Sequence, residues 1–328
     1  MGPTTASTID SKRPAAKQPR FSGLSHMSLP CRNLEQAKRF YTDVMGGELV
    51  HDVTGFAEVR IAEMIIGLSE QPQGWTGWDA EYPHYAFNID VPNYLLMKEW
   101  LDSYGVPNHP WTRDRKTALM YFRDPSGNLL ELYCNKGYGD IMSLPLGPKQ
   151  GGRPIPFGDL NYQWNSERMA SGAQRKIQQP YFTAFSHLSI PCRDLEQAKR
   201  FFTRVMGGEL VLDNQGFAEA RVAGAIIGFS ERTEGWTGRD VEFPHYAFFA
   251  TPEDFLPMVT WLRQSGVTTS EPWTRDGIKG LTYFRDPSGN LFEMYCPKIK
   301  EAAGFARGKK QGGNYEIDFT ALNYQWKG

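Results

Sequence analysis

The chain has 328 residues, long enough for two ordinary domains, and its 40% apolar and 22% charged residues are typical of a globular protein. A formal net charge of −1, without a long basic block, argues against nucleic acid or an anionic membrane as the main partner. No apolar run is long enough to span a membrane, and the polar, basic start predicts a disordered tail at 1–20 rather than a signal peptide. Four cysteines without a secretory signal favour reduced thiols and a cytoplasmic protein.

The elements of the first half follow one another in a repeated order. "GLSHMSLPC" alternates like a strand, and "NLEQAKRFYTDVMGG" has the polar start and glycine stop of a helix. Three short strand patterns follow, "ELVHDV", "FAEVRIA" and "MIIGLSE". "HYAFNIDV" then predicts a second opening strand, and "NYLLMKEWLDSYG" a helix closed by Gly105. "LMYFRD" and "LLELYC" predict strands joined by an Asp-Pro-Ser-Gly turn. The first half therefore contains two βαβββ units.

The second half repeats the first at an offset of 161 residues, which becomes 162 after one insertion near 270. "SHMSLPCRNLEQAKRFY" returns as "SHLSIPCRDLEQAKRFF", and "VMGGELV", "PHYAF", "PWTRD" and "YFRDPSGNL" each occur twice. A period this long with two copies indicates duplicated domains rather than a solenoid. We predict a tail (1–20), a first domain (21–137), a connector (138–180), a second domain (181–298) and a C-terminal segment (299–328). "LNYQW" recurs in both the connector and the C-terminal segment, which argues against simple flexible linkers.

Four of the six histidines belong to the repeats, and each copy adds a glutamate in its last strand. The predicted metal ligands are His26, His84, Glu131, His187, His245 and Glu293. Two imidazoles and one carboxylate on rigid strands are the facial triad that binds Fe(II) or a similar divalent ion and leaves positions open. A single histidine on a strand is more often structural, but three matched residues in two copies favour a metal site.

Paired βαβββ units, the His-His-Glu set and the final "YFRDPSGNLxE" hairpin resemble the vicinal oxygen chelate superfamily. This superfamily includes glyoxalase I, extradiol dioxygenases, fosfomycin resistance transferases and bleomycin-binding proteins. The resemblance covers 21–137 and 181–298. It implies an α+β fold of four βαβββ units that form two tandem half-barrel domains, each around a metal. Sites in this fold are built either within one domain or from units of both, so His26 joins the ligands of its own copy or those of the other.

The ligand set resembles that of extradiol dioxygenases, as does a tyrosine ten residues before each ligand glutamate, Tyr121 and Tyr283. By resemblance, this tyrosine hydrogen-bonds an oxygen near the metal; the plainer interpretation is an aromatic side chain on a strand face. Repeated aromatic and basic residues suit an apolar, anionic substrate, although core packing and surface ion pairs also explain them. The predicted substrate-binding residues are Tyr85, Tyr246, Trp111, Trp273, Arg113 and Arg275, and Trp75 and Trp236 belong to the same aromatic group.

One departure from the dioxygenase pattern concerns acid–base chemistry. Thr112 and Thr274 stand where the dioxygenase signature has a histidine, nine residues before the tyrosine. A ring-cleaving enzyme needs a group that deprotonates the diol. The candidates for this group are Tyr85 and Tyr246, Tyr133 and Tyr295, Tyr162 and Tyr324, and His109 for the first copy alone.

Three functions are consistent with these residues. The first is an Fe(II) dioxygenase that uses O₂ to open a small aromatic diol or related phenol, as in the breakdown of aromatic compounds. The second is a redox-neutral isomerase, lyase or thiol transferase with Mn(II), Ni(II) or Zn(II). The third is a protein that sequesters a small molecule, for which two complete ligand sets are unnecessary. The oligomeric state, including a homo-oligomer, stays open.

Overall fold

The computed structural model describes residues 18–72, 80–136, 139–165, 178–232 and 241–328. Most of the predicted tail, together with Trp75 and Trp236, lies outside the described residues. No helix in the described ranges has the length and apolar character needed to cross a membrane.

Within the described residues, each half of the chain supplies eight strands, and the C-terminal segment adds one more. The strands of the first half are β1 (Phe21–Cys31), β2 (Glu48–Val53), β3 (Phe56–Ile61), β4 (Met64–Glu70), β5 (His84–Asn88), β6 (Asn108–Thr112), β7 (Ala118–Arg123) and β8 (Leu129–Cys134). Those of the second half are β9 (Ala184–Cys192), β10 (Glu209–Asn214), β11 (Phe217–Val222), β12 (Ala225–Glu231), β13 (His245–Ala250), β14 (Trp273–Thr274), β15 (Gly280–Arg285), β16 (Leu291–Cys296) and β17 (Ala306–Arg307). The short strands β6 and β14 complete the second and fourth βαβββ units.

In the described part of the chain, four α-helices complete the units: α1 (Leu34–Arg39), α2 (Val91–Tyr104), α3 (Leu195–Arg200) and α4 (Pro252–Gln264). α1 and α3 each continue into a π-helical turn, at Phe40–Val44 and Phe201–Val205. All four helices begin at a side-chain cap, of which the Asn33 carboxamide accepting from the Gln36 backbone N–H is one example. α2 ends at Gly105, whose φ of 68° is the left-handed conformation that glycine adopts at helix ends.

The strands form two mixed sheets, and each sheet combines units from both copies of the repeat. One has the order β17-β14-β15-β16-β13-β1-β4-β3-β2, and the other β10-β11-β12-β9-β5-β8-β7-β6. The junctions are the antiparallel pairs β1–β13 and β5–β9. The predicted α+β fold of four βαβββ units in two half-barrels is therefore confirmed, and each half-barrel takes one unit from each copy.

The two sheets share one hydrophobic core, which receives side chains from all four units. At its centre, the hydroxyl oxygens of Tyr85 and Tyr246 lie 3.4 Å apart. These residues are equivalent in the two copies, so their contact lies on the pseudo-two-fold axis that relates the halves. The four cysteines are buried and form no disulfide, which agrees with reduced thiols.

Within each copy, a buried turn joins the last hairpin to the end of the first strand. The Asp124 Oδ1 atom accepts hydrogen bonds from the backbone N–H groups of Ser126 (2.8 Å) and Asn128 (2.9 Å). Asn128 Nδ2 donates to Asp124 Oδ2 at 2.7 Å and to the Pro30 carbonyl at 2.9 Å. Asn290 makes the equivalent bonds in the second copy. Buried polar groups with two such partners fix the relative position of the elements they join.

We expect Asn128→Ala to lower the free energy of unfolding by about 1–3 kcal/mol, because it leaves the buried Pro30 carbonyl without its donor. Asn290→Ala should cost a similar amount. Urea denaturation followed by circular dichroism measures both, with the exposed Asn214→Ala as the control. Equal midpoints for Asn128→Ala and the control would contradict this role of the turn.

Candidate metal centres

Six ligand-type side chains form two clusters, one on the inner face of each half-barrel. Centre 1 contains His26, His245 and Glu293, and centre 2 contains His84, Glu131 and His187. In each cluster the candidate ligand atoms all lie within 4.8 Å of one another. All six residues are buried except His26, which is half-buried.

Each centre crosses the boundary between the two copies. His26 comes from the first copy, while His245 and Glu293 come from the second; in centre 2, His187 joins His84 and Glu131. Of the two groupings that the sequence leaves open, within one copy or across the two copies, the structure has the second. The reason is the strand pairing, since β1 lies beside β13 and β9 beside β5.

The sheet register explains the geometry of the ligands. Across three neighbouring strands the Cα partners are His26, Ala247 and Glu293 in centre 1. Ala86 occupies the place of Ala247 in centre 2. Residues in one such row project from the same face of a sheet. Because the middle residue is alanine, the space between the imidazole and the carboxylate contains no larger side chain.

Hydrogen bonds to Nδ1 turn the Nε2 atom of every candidate ligand histidine toward its centre. His84 Nδ1 lies 3.0 Å from the Glu81 carbonyl, and His245 Nδ1 lies 3.0 Å from the Glu242 carbonyl. The Nδ1 atoms of His26 and His187 contact the hydroxyls of the preceding serines, at 3.1 and 3.0 Å. Partners on the second ring nitrogen are typical of histidines that bind metals.

The ligand atoms themselves have few partners. His84 Nε2 lies 3.1 Å from Glu131 Oε2, and His187 Nε2 lies 3.9 Å from the same oxygen. In centre 1, His245 Nε2 is 3.4 Å and His26 Nε2 4.0 Å from the Glu293 carboxylate. Glu131 Oε1, His245 Nε2 and both Glu293 oxygens are buried without a hydrogen-bond partner among the described residues. Buried polar atoms are otherwise almost always paired, so these orphaned atoms fit a bound cation.

Burial sets the protonation of most of the imidazoles. It lowers the pKa of His187 to about 4 and that of His245 to about 3, and it holds the pKa of His26 well below its ordinary value. For His84, burial also acts to lower the pKa, but the hydrogen bond and charge of Glu131 outweigh it and the pKa is raised. Neutral imidazole is the form that binds a metal, so three of the four histidines are ready to act as ligands.

The two carboxylates differ, although they occupy equivalent positions. Burial raises the pKa of Glu293 to about 7. Burial acts in the same direction on Glu131, but its hydrogen bond with His84 reverses the effect and lowers the pKa. Without a metal, the contact between His84 and Glu131 favours the charged forms of both groups in centre 2, whereas burial in centre 1 favours the neutral forms of the carboxyl and the imidazoles.

The predicted tyrosines Tyr121 and Tyr283 lie directly beside the ligand carboxylates. Each is the Cα partner of its ligand glutamate on the neighbouring strand. Their hydroxyls donate to Glu81 Oε1 at 3.5 Å and Glu242 Oε1 at 3.3 Å. Burial, followed by the charge of the ligand glutamate, raises both tyrosine pKa values well above the ordinary value, so both hydroxyls remain protonated.

Glu81 and Glu242 are functional candidates that the sequence analysis missed. Each holds the neighbouring tyrosine through its carboxylate and the ligand histidine through its carbonyl. The second oxygen of Glu81 pairs with Arg232 at 3.2 Å, and that of Glu242 with Lys310 at 2.8 Å. Both copies have a glutamate three residues before the fifth-strand histidine, and this repetition is the sequence pattern that could have indicated the two residues.

The predicted arginines and tryptophans also lie on the inner faces. The Arg113 guanidinium lies 6.0 Å from the Tyr133 ring centroid, and that of Arg275 lies 5.9 Å from the Trp273 ring centroid. Neither arginine forms an ion pair within 4.0 Å of any residue that the structure describes. Trp111 stacks on Tyr121 at 6.1 Å between ring centroids. These side chains border the centres and leave the guanidinium groups available to an anion.

The structure does not bring Tyr85 and Tyr246 to the centres. They are almost fully buried in the core between the sheets, where their hydroxyls contact each other. Because side chains alternate along a strand, a residue next to the ligand His84 or His245 must face the opposite side. Their assignment as substrate-binding or acid–base residues is therefore corrected.

The "LNYQW" segments pack against the half-barrels. Tyr162 and Tyr324 donate their hydroxyl protons to the carbonyls of Arg123 and Arg285, at 3.2 and 2.7 Å. These bonds give both tyrosines a structural role instead of the acid–base role considered for them. Phe157, in the same connector, lies 5.4 Å from Tyr121 between ring centroids and extends the aromatic wall of centre 2. Phe319 does the same beside Tyr283 at 5.5 Å.

Comparison with known proteins identifies the family. The protein-family model described as "Glyoxalase/Bleomycin resistance protein/Dioxygenase superfamily" matches residues 23–132 and 184–294, more than half of the chain. The chain belongs to this superfamily. Its two matched segments contain all six candidate ligands.

Curated relatives from the superfamily catalyse different reactions. Metapyrocatechase from Pseudomonas sp. (strain CF600) is 25% identical over 289 residues, which cover 83% of this chain and 84% of that protein. Glutathione transferase FosA from Serratia marcescens is 24% identical over 133 residues, 40% of this chain and 92% of that protein. The crystal structure of glyoxalase I from Zea mays, with 13% identity, has a TM-score of 0.54 and covers 85% of this chain and 92% of that one. The likeness to glyoxalase I supports the fold assignment.

Metal stoichiometry tests the cross-copy assignment of the superfamily's ligands in this chain. We expect the protein to bind two ions, and His26→Ala combined with Glu293→Ala to bind one, because both changes affect centre 1. His26→Ala combined with Glu131→Ala should bind none tightly, because each change damages a different centre. Elemental analysis after metal loading and desalting measures the content. His51→Ala is the control. If the His26→Ala, Glu293→Ala variant bound no ion and the His26→Ala, Glu131→Ala variant bound one, the ligands would instead be grouped within each copy.

A two-chain version tests the same exchange independently. Residues 1–165 and 178–328, produced together as separate chains, should co-purify as one complex, because β1–β13 and β5–β9 join them. The complex should bind two ions, while either chain produced alone lacks one histidine of each triad. Native mass spectrometry measures both quantities. Two folded, fully metal-loaded single chains would contradict the sheet exchange.

Proposed function

We propose that the protein is an Fe(II)-dependent extradiol-type dioxygenase acting on an aromatic diol or a related phenolic compound. The observation that supports this most strongly is the candidate ligand set, with two imidazoles and one carboxylate gathered on one face at each centre. Such a triad is characteristic of non-haem Fe(II) oxygenases, because three coordination positions stay open. When bound, Fe(II) would supply open coordination positions for the substrate and O₂ and would mediate the transfer of electrons from the substrate to O₂.

The inner face suits a planar aromatic substrate. In centre 2, Trp111, Tyr121 and Phe157 form a continuous aromatic wall beside the Glu131 carboxylate. Trp273, Tyr283 and Phe319 form the same wall in centre 1. Aromatic walls with a few polar groups are typical of sites for small organic ligands. They exclude water from one side of the ring and orient it toward the ligands.

Polar side chains on the same faces suit the oxygens of such a substrate. Glu81 accepts the hydrogen bond of the Tyr121 hydroxyl and so holds it beside Glu131, where the phenol oxygen can accept a hydrogen bond from a substrate hydroxyl. Arg113 lies near the Glu131 carboxylate and lowers its pKa, so its positive charge reaches the same position. A substrate that loses protons on binding becomes anionic, and a guanidinium without an ion-pair partner stabilises that charge.

One relative supports this reaction. Metapyrocatechase is similar to this chain over 83% of its length. The FosA match keeps a second candidate, a redox-neutral transferase, isomerase or lyase that uses Mn(II), Ni(II) or Zn(II) as a Lewis acid. Sequestration without catalysis is disfavoured, because six aligned ligands would serve no purpose in it.

Oxygen uptake distinguishes the two candidates. The metal-free protein, loaded anaerobically with Fe(II) and mixed with a panel of catechols, should consume O₂ and produce the yellow ring-opened product. The His26→Ala, His187→Ala double variant should lose the activity, since it removes one ligand from each centre. The His51→Ala variant is the control, because this exposed histidine lies outside both triads. Turnover of glutathione with Mn(II) or Ni(II), without O₂ uptake with any catechol, would instead establish the redox-neutral function.

The structure also predicts an effect of Glu81 and Glu242. Glu81→Gln combined with Glu242→Gln should keep both ions but lower kcat by about 10-fold or more, because the tyrosines lose their anionic partners. Steady-state kinetics with parallel metal analysis measures the effect. Unchanged kcat would show that the carboxylates only shape the turn, while loss of metal would assign them to ligand positioning.

A further inference from the structure

Two glutamates on the third strands, Glu58 and Glu219, face the same sides of the sheets as the metal ligands. Glu58 of β3 has Gly67 as its Cα partner on β4, and Gly67 pairs with Ser28 of β1. Ser28 pairs in turn with the ligand His245. The row beside centre 2 is equivalent: Glu219, Gly228, Ser189 and His84. Residues in such a row project from one face, so each glutamate shares the inner face with its centre.

A glycine and a serine lie between each glutamate and its centre. Strands in a sheet are about 4.8 Å apart, so two strand spacings place the Glu58 backbone about 10 Å from that of Ser28. Ser28 Oγ and the Phe56 ring lie over Gly67, 2.7 and 3.2 Å from the position that a Cβ would take there. Ser189 Oγ and the Phe217 ring lie over Gly228 in the same way, at 2.8 and 3.1 Å. A substrate bound at the centre reaches the glutamate by extending along this face of the sheet.

Both glutamates lack partners within the described part of the chain. They are half-buried, and neither forms a hydrogen bond or an ion pair through its carboxylate with any described residue. Glu81 and Glu242, by contrast, are occupied by a tyrosine and a basic residue. A half-buried carboxylate without a partner has lost part of its hydration without compensation, which is typical of a functional group.

The electrostatic surroundings connect these carboxylates to the centres. Burial raises the pKa of Glu219, the Arg113 guanidinium opposes that effect, and the Glu131 carboxylate adds to it. Glu58 is near enough to the Glu293 carboxylate and Arg275 to shift the pKa of both. In each half-barrel, one arginine is thus close to both the candidate ligand glutamate and the glutamate of the third strand.

Other titratable groups at the inner faces are poorer proton acceptors. The hydroxyls of Tyr121 and Tyr283 are donors that already serve Glu81 and Glu242, and burial raises the pKa of Tyr133 and Tyr295. His109 lies beyond Tyr121 on the edge strand β6, and its equivalent in the other copy is Glu271. His51 is opposite Glu58, but Leu212 replaces it opposite Glu219. Among these groups of the described chain, only Glu58 and Glu219 combine presence at both centres with a carboxylate that has no hydrogen-bond or ion-pair partner.

We propose that Glu58 and Glu219 are the general bases that deprotonate the bound substrate at centre 1 and centre 2, respectively. This inference rests on the proposed dioxygenase function. The substrate O–H bond breaks, the proton passes to a carboxylate oxygen of the glutamate, and the electron pair stays on the substrate oxygen. The neighbouring arginine stabilises the anion so formed, and the neutral glutamic acid can return the proton later. These glutamates replace the histidine that is missing from the dioxygenase pattern at Thr112 and Thr274.

The test follows the ionisation state of a bound catechol without turnover. The Zn(II)-loaded protein is titrated with 4-nitrocatechol, whose visible absorption distinguishes its protonated and ionised forms. At a pH below the first ionisation of the free compound, the parent protein should bind it in an ionised form. The Glu58→Gln, Glu219→Gln variant should bind it in a more protonated form. With Fe(II) and a turned-over catechol, the same variant should lose about 100-fold or more in kcat, the usual contribution of a general base.

Matched variants separate this role from structure and charge. Glu48→Gln combined with Glu209→Gln changes two exposed carboxylates at equivalent positions of the adjacent strands and should behave as the parent protein. Glu58→Asp combined with Glu219→Asp keeps the carboxylates and should recover the ionised spectrum in part. Metal content and circular dichroism confirm that each variant is folded and loaded.

The outcomes distinguish the failure of this inference from the failure of the proposed function. An ionised 4-nitrocatechol spectrum in the Gln variant, with kcat within twofold of the parent, would overturn the general-base role and leave the dioxygenase intact. A parent protein that binds no catechol and consumes no O₂ would overturn both. A Gln variant that loses its metal, while the Asp variant keeps the metal without restoring ionisation, would also overturn the role.

Discussion

The antiparallel pairing of β1 with β13 and of β5 with β9 is the constraint on which the rest of the molecule depends. It places the opening strand of each copy beside the fifth strand of the other, and so brings the histidine of one copy to the histidine and glutamate of its counterpart. The same pairing fixes Ala86 and Ala247 between the ligands, which keeps the coordination space clear. Neither half of the chain contains a complete centre in this arrangement. Folding of the two copies and assembly of the sites are consequently one process.

The fold and the candidate ligand residues could be predicted from the sequence, because both rest on local patterns that occur twice. The βαβββ order follows from strand alternation, helix caps and glycine stops, and the histidines stand at the same strand positions in both copies. The partner of His26 could not be read, since strand order within a sheet depends on contacts between distant residues. Tyr85 is different: its position next to His84 already excluded it from the inner face by simple alternation.

Residues that support the ligands were harder to identify than the ligands themselves. Glu81 acts through a carbonyl and a carboxylate at once, and only three-dimensional structure shows both contacts. Glu58 and Glu219 reach their centres across two strands of the sheet, so their sequence distance from any ligand carries no information. The aromatic walls combine strand residues with Phe157 and Phe319 of the connectors, whose glycine- and proline-rich sequences predict no particular contact.

The contact between Tyr85 and Tyr246 has a consequence for how such a chain can change over time. Two equivalent residues that meet on a two-fold axis form an isologous contact, the kind found between the identical subunits of a homodimer. Elsewhere the copies can diverge separately, as Trp78 and Arg239 or Asp43 and Arg204 have done. At the axis, a change in one copy alters the environment of its own counterpart. A single-copy protein with these strands would need a second molecule to complete either centre, so this chain has the architecture of a symmetric dimer joined into one polypeptide.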